Sequence, residues 1–294
     1  MKNIVAAEKK KTTNKYLYLF AFLPFVILVL LYELVPLFML IIDSFGSDAD
    51  SSILFTLENY KKIFTTVGYQ KSITNSLKIT FISTLVGMIV AFLGAKSAHT
   101  SRGKCRSIFM TVLNMTSNFA GVPLAFAYMI LLGNFGVITQ IANLYGIEFI
   151  QNFDLYSSKG LILMYIYFQI PLSTLLLIPA FNGVRREWQE ANMLIGGRES
   201  TFWFKVGIPV LLPSIFGTIS VLFANALCAY ATAYALLMNN FKLLPLDISA
   251  SFTGDIASKP KFGAALSVVM MVIMCAVILI DNYIVKKTTT WKTR

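Results

Sequence analysis

Six apolar segments of membrane-crossing length recur along this chain, and they constrain its fold more than any other feature. A helix that crosses the hydrocarbon core needs about 20 mostly apolar residues. The segments that meet this requirement lie at about 16–42, 75–95, 107–132, 161–181, 210–238 and 262–280. Since the bilayer core offers no water to an open backbone, each segment is predicted to be helical. The predicted fold class is an all-α integral membrane protein with six transmembrane helices.

The composition supports this prediction and excludes a soluble globule. Hydrophobic residues make up 56% of the 294 residues and charged residues 13%, with a mean hydropathy of +0.69. Soluble domains carry about a quarter charged residues, so too little polar surface is present here to cover a water-exposed protein. The first apolar segment is also too long for the core of a cleavable signal peptide, and no small-residue cleavage site follows it.

The basic residues predict which ends of the helices face the cytoplasm. The segments 1–15, 96–106, 182–209 and 281–294 hold 17 of the 25 Lys and Arg residues but only five acidic ones. The opposite side holds the other eight Lys and Arg residues and eight acidic residues. Cytoplasmic loops of membrane proteins are enriched in Lys and Arg, so both termini are predicted to be cytoplasmic. We therefore expect a multi-pass membrane protein with both termini on the cytoplasmic side.

Several classes of function lack their motifs in this chain. The net charge of +11 is spread over tails and short loops, and no nucleic-acid-binding motif accompanies it, so it indicates an anionic inner leaflet rather than nucleic acid. Cys105, Cys228, Cys275 and the single histidine, His99, have no metal-ligand spacing. No phosphate-binding GxxxxGK[ST] loop and no HExxH or GxSxG motif is present, so we expect no catalytic, metal or cofactor site in this chain.

The most informative stretch is NGVRREWQEANMLIGGRESTFWFKVGIPVLLP, residues 182–213, on the basic side between the fourth and fifth segments. A plain connection would be much shorter. The pattern predicts two short amphipathic helices, about 185–194 and 199–206, separated by Gly196-Gly197, because glycine adopts the positive φ that ends a helix. Glu187 and Glu190 suit the first turns of the first helix. Such a projection fits a groove on a cytoplasmic partner.

This segment resembles the EAA loop of permease subunits in binding-protein-dependent ABC importers of the type I fold. Glu190, Ala191 and Asn192 occupy the Glu-Ala-Ala positions, Gly196 follows at the family's spacing, and Val206, Ile208 and Pro209 complete the pattern. The departure is Asn192, where the family usually has alanine. Within the family, residues 117–138 are more similar to polyamine, iron and phosphonate-type permeases than to sugar permeases.

The resemblance covers about residues 75–280, which it implies to be a permease core of five helices that includes the EAA loop 182–209. It implies a cytoplasmic tail at 1–15, an additional transmembrane helix at 16–42 and a second tail at 281–294. It also implies that the first loop helix is the coupling helix, and that the partners are two cytoplasmic ATPase subunits, which bind ATP and Mg, an extracytoplasmic solute-binding protein and a second permease. Asn192 favours a different chain as that second permease. The implied ATPase-coupling residues are Glu187, Glu190, Ala191, Asn192, Gly196, Gly197, Trp203 and Pro209.

Polar residues within the apolar segments are the candidates for a solute path. Neutral amides bind polar solutes, although they also join helices by hydrogen bonds. The candidates are Asn114, Asn118, Gln169, Asn225 and Tyr230. Glu33, the one carboxylate counted within a segment, is interpreted mainly as a contact to water or to a neighbouring subunit. An ATPase-independent transporter or channel, and a scaffold subunit of a membrane complex, stay open as alternative functions.

Overall fold

The computed structural model describes residues 22–48, 55–101, 103–238, 240–253 and 258–289, and every regular element within those ranges is a helix. The predicted tail 1–15 and the last five residues of the predicted tail 281–294 lie outside the described residues. In chain order the helices are α1 Phe22–Ser44, α2 Glu58–Thr65, α3 Val67–Thr100, α4 Lys104–Ser117, α5 Val122–Leu132, α6 Val137–Tyr145, α7 Glu148–Gln151, α8 Ser158–Phe181, α9 Arg186–Leu194, α10 Glu199–Leu227, α11 Tyr230–Leu237, α12 Leu244–Thr253 and α13 Pro260–Thr289.

The predicted fold class is confirmed, since six helices long and apolar enough to cross a membrane lie within these described ranges. They are α1, α3, the stretch Val122–Tyr145, α8, α10 and Pro260–Lys287. The contacts between them place the chain in alternating directions. At one end Asn75 donates to the carbonyl of Lys242, and at the other Lys96 is paired with Glu199.

The centre of the molecule is the long seam between α3 and α8. Small and hydroxyl-bearing residues of α3, among them Ser76, Ser83, Gly87 and Ala91, are buried along this seam. Small side chains let two helices approach closely, which is how helices without a hydrophobic driving force gain packing energy in lipid. At Gly87 a Cβ would lie 3.1 Å from the Cβ of Gln169, so α8 contacts the backbone of α3 directly.

Helix α1 is the most peripheral span. None of the residues in its apolar window is buried, and it packs along α13. It contains a π-helical turn at Leu30–Leu34, immediately before Pro36. Because proline has no N–H to donate, the preceding turn widens rather than closing a normal helical bond. Glu33 lies in this turn and is exposed.

The third apolar segment, expected as one helix over 107–132, is divided. Helix α4 ends at Ser117, and α5 begins at Val122 after Gly121, which has a φ of +71°. Pro123 lies in the first turn of α5, where its missing N–H would have no partner within the helix, so it suits a new helix start and not the interior of one continuous helix. The stretch with membrane-crossing hydropathy is accordingly Val122–Tyr145, which joins α5 and α6.

The fifth apolar segment, expected over 210–238, begins earlier and contains a break. Helix α10 runs without interruption from Glu199 through a π-helical turn at Trp203–Gly207, so the expected second short helix is the first part of this span. The span is interrupted after Leu227, and α11 starts at Tyr230. The hydroxyl of Tyr165 donates to the carbonyl of Ala229, the N-cap residue of α11, at 2.7 Å, so α8 contacts the backbone directly at the break.

The sixth span is longer than the expected 262–280. Helix α13 continues to Thr289, so the first residues of the predicted tail 281–294, Asp281 among them, are helical. The carboxylate of Asp281 is buried and accepts a hydrogen bond from the hydroxyl of Ser220 in α10.

At the other end of α13 the carboxylate of Asp48 accepts from the backbone N–H groups of Lys261 and Phe262, at 3.0 and 2.9 Å. An anion at a helix N-terminus satisfies donors that have no partner within the helix.

Candidate functional site

The loop between α8 and α10 rests on a compact cluster that we call the loop base, formed by Lys96, Phe181, Glu199, Phe202 and Trp203. Phe181 and Phe202 are fully buried, and the ring of Trp203 lies 5.9 Å from that of Phe181. The cluster joins the ends of α3 and α8 to the first turns of α10. Both ends of the loop therefore lie on packed structure, although the loop itself projects from that structure.

Polar contacts complete the loop base. The carboxylate of Glu199 accepts from Nε1 of Trp203 at 3.2 Å and pairs with Nζ of Lys96 at 3.4 Å. The ammonium of Lys96 also lies 4.6 Å from the centre of the Trp203 ring, which places it for a cation–π contact. These contacts fix the start of α10 against α3.

The ring of Trp203 also packs against the backbone of Gly207, in the π-helical turn of α10. A Cβ on Gly207 would lie 2.5 Å from the six-membered ring of Trp203. The turn precedes Pro209, whose missing N–H again accounts for the widened helix. The sequence motif residues Trp203 and Pro209 thus shape the entry into the fifth span, with Pro209 itself exposed.

Helix α9 is closed by the glycine turn that the sequence predicts. Gly196 has a φ of +77°, its N–H donates to the carbonyl of Met193 at 3.0 Å, and the N–H of Gly197 donates to that of Asn192 at 2.8 Å. This pair of bonds is the Schellman arrangement of a helix C-terminus, which requires a left-handed residue between them. The prediction that glycine ends this helix is therefore confirmed by its backbone conformation.

Most of the surface of α9 is exposed. The helix buries none of its residues, and Glu187, Glu190 and Ala191 are exposed. Its C-terminal tip is apolar, with Leu194 88% and Ile195 85% exposed. Large apolar side chains rarely stand this far into water unless they belong to an interaction site.

Sequence reasoning did not find all of the loop base. The sequence identified Lys96 only as a basic residue of its loop and Phe181 only as the end of an apolar segment. Their proximity to Glu199 and Trp203 depends on how α3 and α8 pack, so no local signal could have shown it. The bulky residues Phe202 and Trp203 were the visible part of the cluster.

The candidate solute-path residues lie in two different environments. Asn114, Asn118 and Asn225 are exposed, and Tyr230 is half-buried, with its ring stacked on Tyr234 at 5.3 Å. The amide groups of Asn114 and Asn118 donate to carbonyls one turn earlier, those of Met110 and Asn114, at 2.9 and 2.8 Å. The three asparagines are thus outside the packed seam, whereas Tyr230 packs against the core cluster that includes Tyr165 and Phe168 of α8.

Gln169 lies instead at the centre of the α3–α8 seam. It is fully buried, and its Nε2 donates to the hydroxyl of Ser83 at 2.9 Å. Its Oε1 has no hydrogen-bond partner within the described ranges. Gln169 therefore joins two helices in this conformation, and the structure does not bring it together with the other candidates.

The two helix breaks lie side by side. A Cβ on Gly121, in the break between α4 and α5, would be 3.7 Å from the Cβ of Ala231, just after the break between α10 and α11. The rings of Phe119 and Tyr128 make edge contacts with Tyr167 at 6.4 and 5.9 Å between centres. Asn118 precedes the first break and Tyr230 follows the second, so these two candidates lie beside interruptions of the helical backbone.

Comparison with known proteins relates this architecture to transport systems. The chain is 23% identical over 254 residues to a probable sulfate transport system permease protein of Helicosporidium sp. subsp. Simulium jonesii, which covers 86% of the chain and 88% of that protein. It is 24% identical over 237 residues to a sulfoquinovosyl glycerol transport system permease protein of Agrobacterium fabrum, covering 80% of the chain and 76% of that protein. A molybdenum transport system permease protein of Mycobacterium bovis is 23% identical over 74% of the chain and 80% of its own length.

Solved structures give the same fold. A bacterial ABC transporter involved in the import of alginate matches with a TM-score of 0.73 at 15% identity, covering 95% of this chain and 98% of that one. The MetNI methionine ABC transporter matches with a TM-score of 0.59 at 14% identity, covering 74% and 94%. No protein-family model matches the chain.

The six spans, the projecting loop and these similarities together define a transmembrane subunit of an ABC transporter. The chain is the permease subunit of a binding-protein-dependent ABC importer, and hence a multi-pass protein of the bacterial inner membrane.

Proposed function

We propose that loop 182–209 is the coupling element through which separate ATPase subunits drive the spans of this permease. The observation that carries the proposal is α9, which buries no residue although both of its ends are fixed to packed structure. An exposed apolar tip on a firmly held helix fits a hydrophobic groove on a cytoplasmic partner. The exposed Glu187, Glu190 and Ala191 on the same helix would form the rest of the contact.

The mechanism is alternating access. ATP and Mg bind to the two ATPase subunits and not to this chain, and closure of those subunits draws the coupling helices together. Because α10 continues from the loop base into the fifth span, displacement of the loop is transmitted directly to a membrane helix. An extracytoplasmic binding protein delivers the solute, as supported by the alginate transporter, whose structure was solved in complex with an alginate-bound periplasmic protein.

The translocation path is formed together with a second permease, for which the Asn192 departure favours a different chain. The path carries a small polar solute, with Asn114, Asn118, Asn225 and Tyr230 as its candidate contacts in this chain. Relatives named for sulfate, molybdenum and sulfoquinovosyl glycerol differ in the charge and size of their solutes. Polyamine, metal, phosphonate and sugar solutes stay open for this permease, since specificity rests mainly with the binding protein.

The variant Gly196→Pro tests the coupling proposal. Proline is fixed near a φ of −65° and has no N–H, so it cannot adopt the +77° conformation or donate to Met193. We expect normal membrane abundance with loss of binding-protein-stimulated ATP hydrolysis in the purified complex. Gly146→Pro is the control, because Gly146 has a φ of +68° at the end of α6, outside the loop, and should leave coupling intact. Normal solute uptake by Gly196→Pro would contradict the proposal.

A pull-down in mild detergent separates the alternative functions. The tagged chain is expected to retain an ATPase with a phosphate-binding loop and a second multi-span protein. Recovery without any ATPase would favour an ATPase-independent transporter, and recovery with unrelated membrane proteins would favour a scaffold.

A further inference from the structure

Asn192 makes hydrogen bonds on both sides of the glycine turn. Its main-chain carbonyl accepts from the N–H of Gly197 at 2.8 Å, and its side-chain Nδ2 donates to the carbonyl of Arg198 at 3.2 Å. Arg198 is the N-cap residue of α10, and the same carbonyl accepts from the N–H of Phe202 at 3.2 Å. The Asn192 amide thus connects the last turn of α9 to the first turn of α10.

The Asn192 amide also packs directly on Gly197. A Cβ at Gly197 would overlap the amide, with its nitrogen only 2.8 Å away. Gly197 has no positive φ, so its backbone does not itself require glycine. The absence of a side chain at Gly197 is therefore explained by the space that the Asn192 amide occupies.

The turn to which Asn192 is bonded is itself immobilised. Phe202 is fully buried in the loop base, and Glu199 is held by Lys96 and Trp203. Helix α9, in contrast, has no buried residue to fix its direction. The angle between α9 and the fifth span is then determined by the two ends of α9. Among the described residues, the bond from Asn192 to Arg198 is the one side-chain hydrogen bond that crosses the glycine turn.

We propose that Asn192 is a positioning residue that joins α9 and the start of α10 into one rigid unit, so that motion of α9 reaches the fifth span without loss at the glycine turn. This proposal rests on the proposed coupling function. Alanine, the usual residue at this position of the EAA pattern, has no donor for the Arg198 carbonyl.

Hydrogen exchange measured by mass spectrometry on the full-length chain in nanodiscs tests the bond. A hydrogen bond contributes about 0.5–1.5 kcal/mol, so Asn192→Ala should raise exchange in peptides covering 193–202 by about two- to tenfold. Peptides from α8 and α13 should not change. Gly197→Ala should have a similar effect, since the added methyl displaces the Asn192 amide. The double variant should show no further increase, because the displaced group is already absent.

The coupling readout separates positioning from folding. In proteoliposomes with the complete complex, Asn192→Ala should keep its abundance and its bound ATPase while binding-protein stimulation of ATP hydrolysis falls severalfold. Unchanged exchange in Asn192→Ala, or additive effects of the two substitutions, would overturn the positioning role and leave docking intact. Failure of the unmodified chain to retain an ATPase would instead overturn the coupling proposal, while the exchange result would still decide whether Asn192 fixes the turn.

Discussion

Individual residues of this permease subunit act mainly through backbone geometry. Gly196 is needed because a Schellman turn requires a left-handed residue, and Gly121 enters α5 with a similarly positive φ. Trp203 acts through shape, since it fills the space that Gly207 leaves open and orients Glu199 by a hydrogen bond. Gly196 and Pro209 of the EAA pattern are thus explained by the turn and the helix entry that they build.

The ion pair between Lys96 and Glu199 illustrates how little an exposed pair contributes by itself. Both side chains are substantially exposed, at 37% and 62%. Such pairs contribute about 0–1 kcal/mol, so Lys96→Met should lower the thermal stability in detergent only slightly. Trp203→Ala should be far more destabilising, by about 3 kcal/mol, because it empties part of the loop base. Equal effects of the two variants on the melting temperature would contradict this ranking.

At the scale of elements, the fifth span depends on a tertiary contact at its break. No glycine or proline occupies Cys228–Ala229, yet the helix is interrupted there. The carbonyl of Ala229 is satisfied by the buried hydroxyl of Tyr165, which belongs to α8. The break is therefore maintained by the neighbouring helix and not by local sequence.

Tyr165→Phe tests this interpretation of the break. Loss of the hydroxyl removes one hydrogen bond between α8 and the break, which contributes about 0.5–1.5 kcal/mol. We expect a lower midpoint of thermal unfolding in detergent and faster hydrogen exchange in the peptide that covers 228–237. Tyr167→Phe, two residues away and packed by edge contacts with Phe119 and Tyr128, is the matched control. Similar losses in the two variants would show that the Ala229 contact is not the cause.

At the scale of the whole molecule, the contacts group the loops and helix ends at two opposite ends of the helix bundle, and these two ends carry different charge. Loop 182–209 and the end of α3 lie together, while α2, α12 and the start of α13 lie at the other end. Single cysteines test which end is cytoplasmic, after Cys105, Cys228 and Cys275 are replaced by alanine. Glu190→Cys should react with an impermeant maleimide only in inside-out vesicles, and Glu148→Cys only in intact spheroplasts. Reaction of both from the same side would refute the alternating arrangement of the spans.

The sequence by itself determined the apolar spans, the basic side and the glycine turn of loop 182–209. These features depend on local properties: the length of an apolar run, the bias of Lys and Arg, and the freedom of glycine to adopt a positive φ. The coupling role of Glu187, Glu190 and their neighbours, and the solute-path role of the exposed amides, stay predictions. They concern partners that no single chain specifies.

Only the tertiary structure decided where the spans break and which polar groups are buried. Asp281, assigned by sequence to a tail, pairs with Ser220 because α13 continues along α10. Gln169 lies in the seam, and Asn192 reaches Arg198, for the same kind of reason. A hydrogen bond between residues brought together by packing leaves no periodic signal in the sequence, because its geometry depends on how neighbouring elements approach each other.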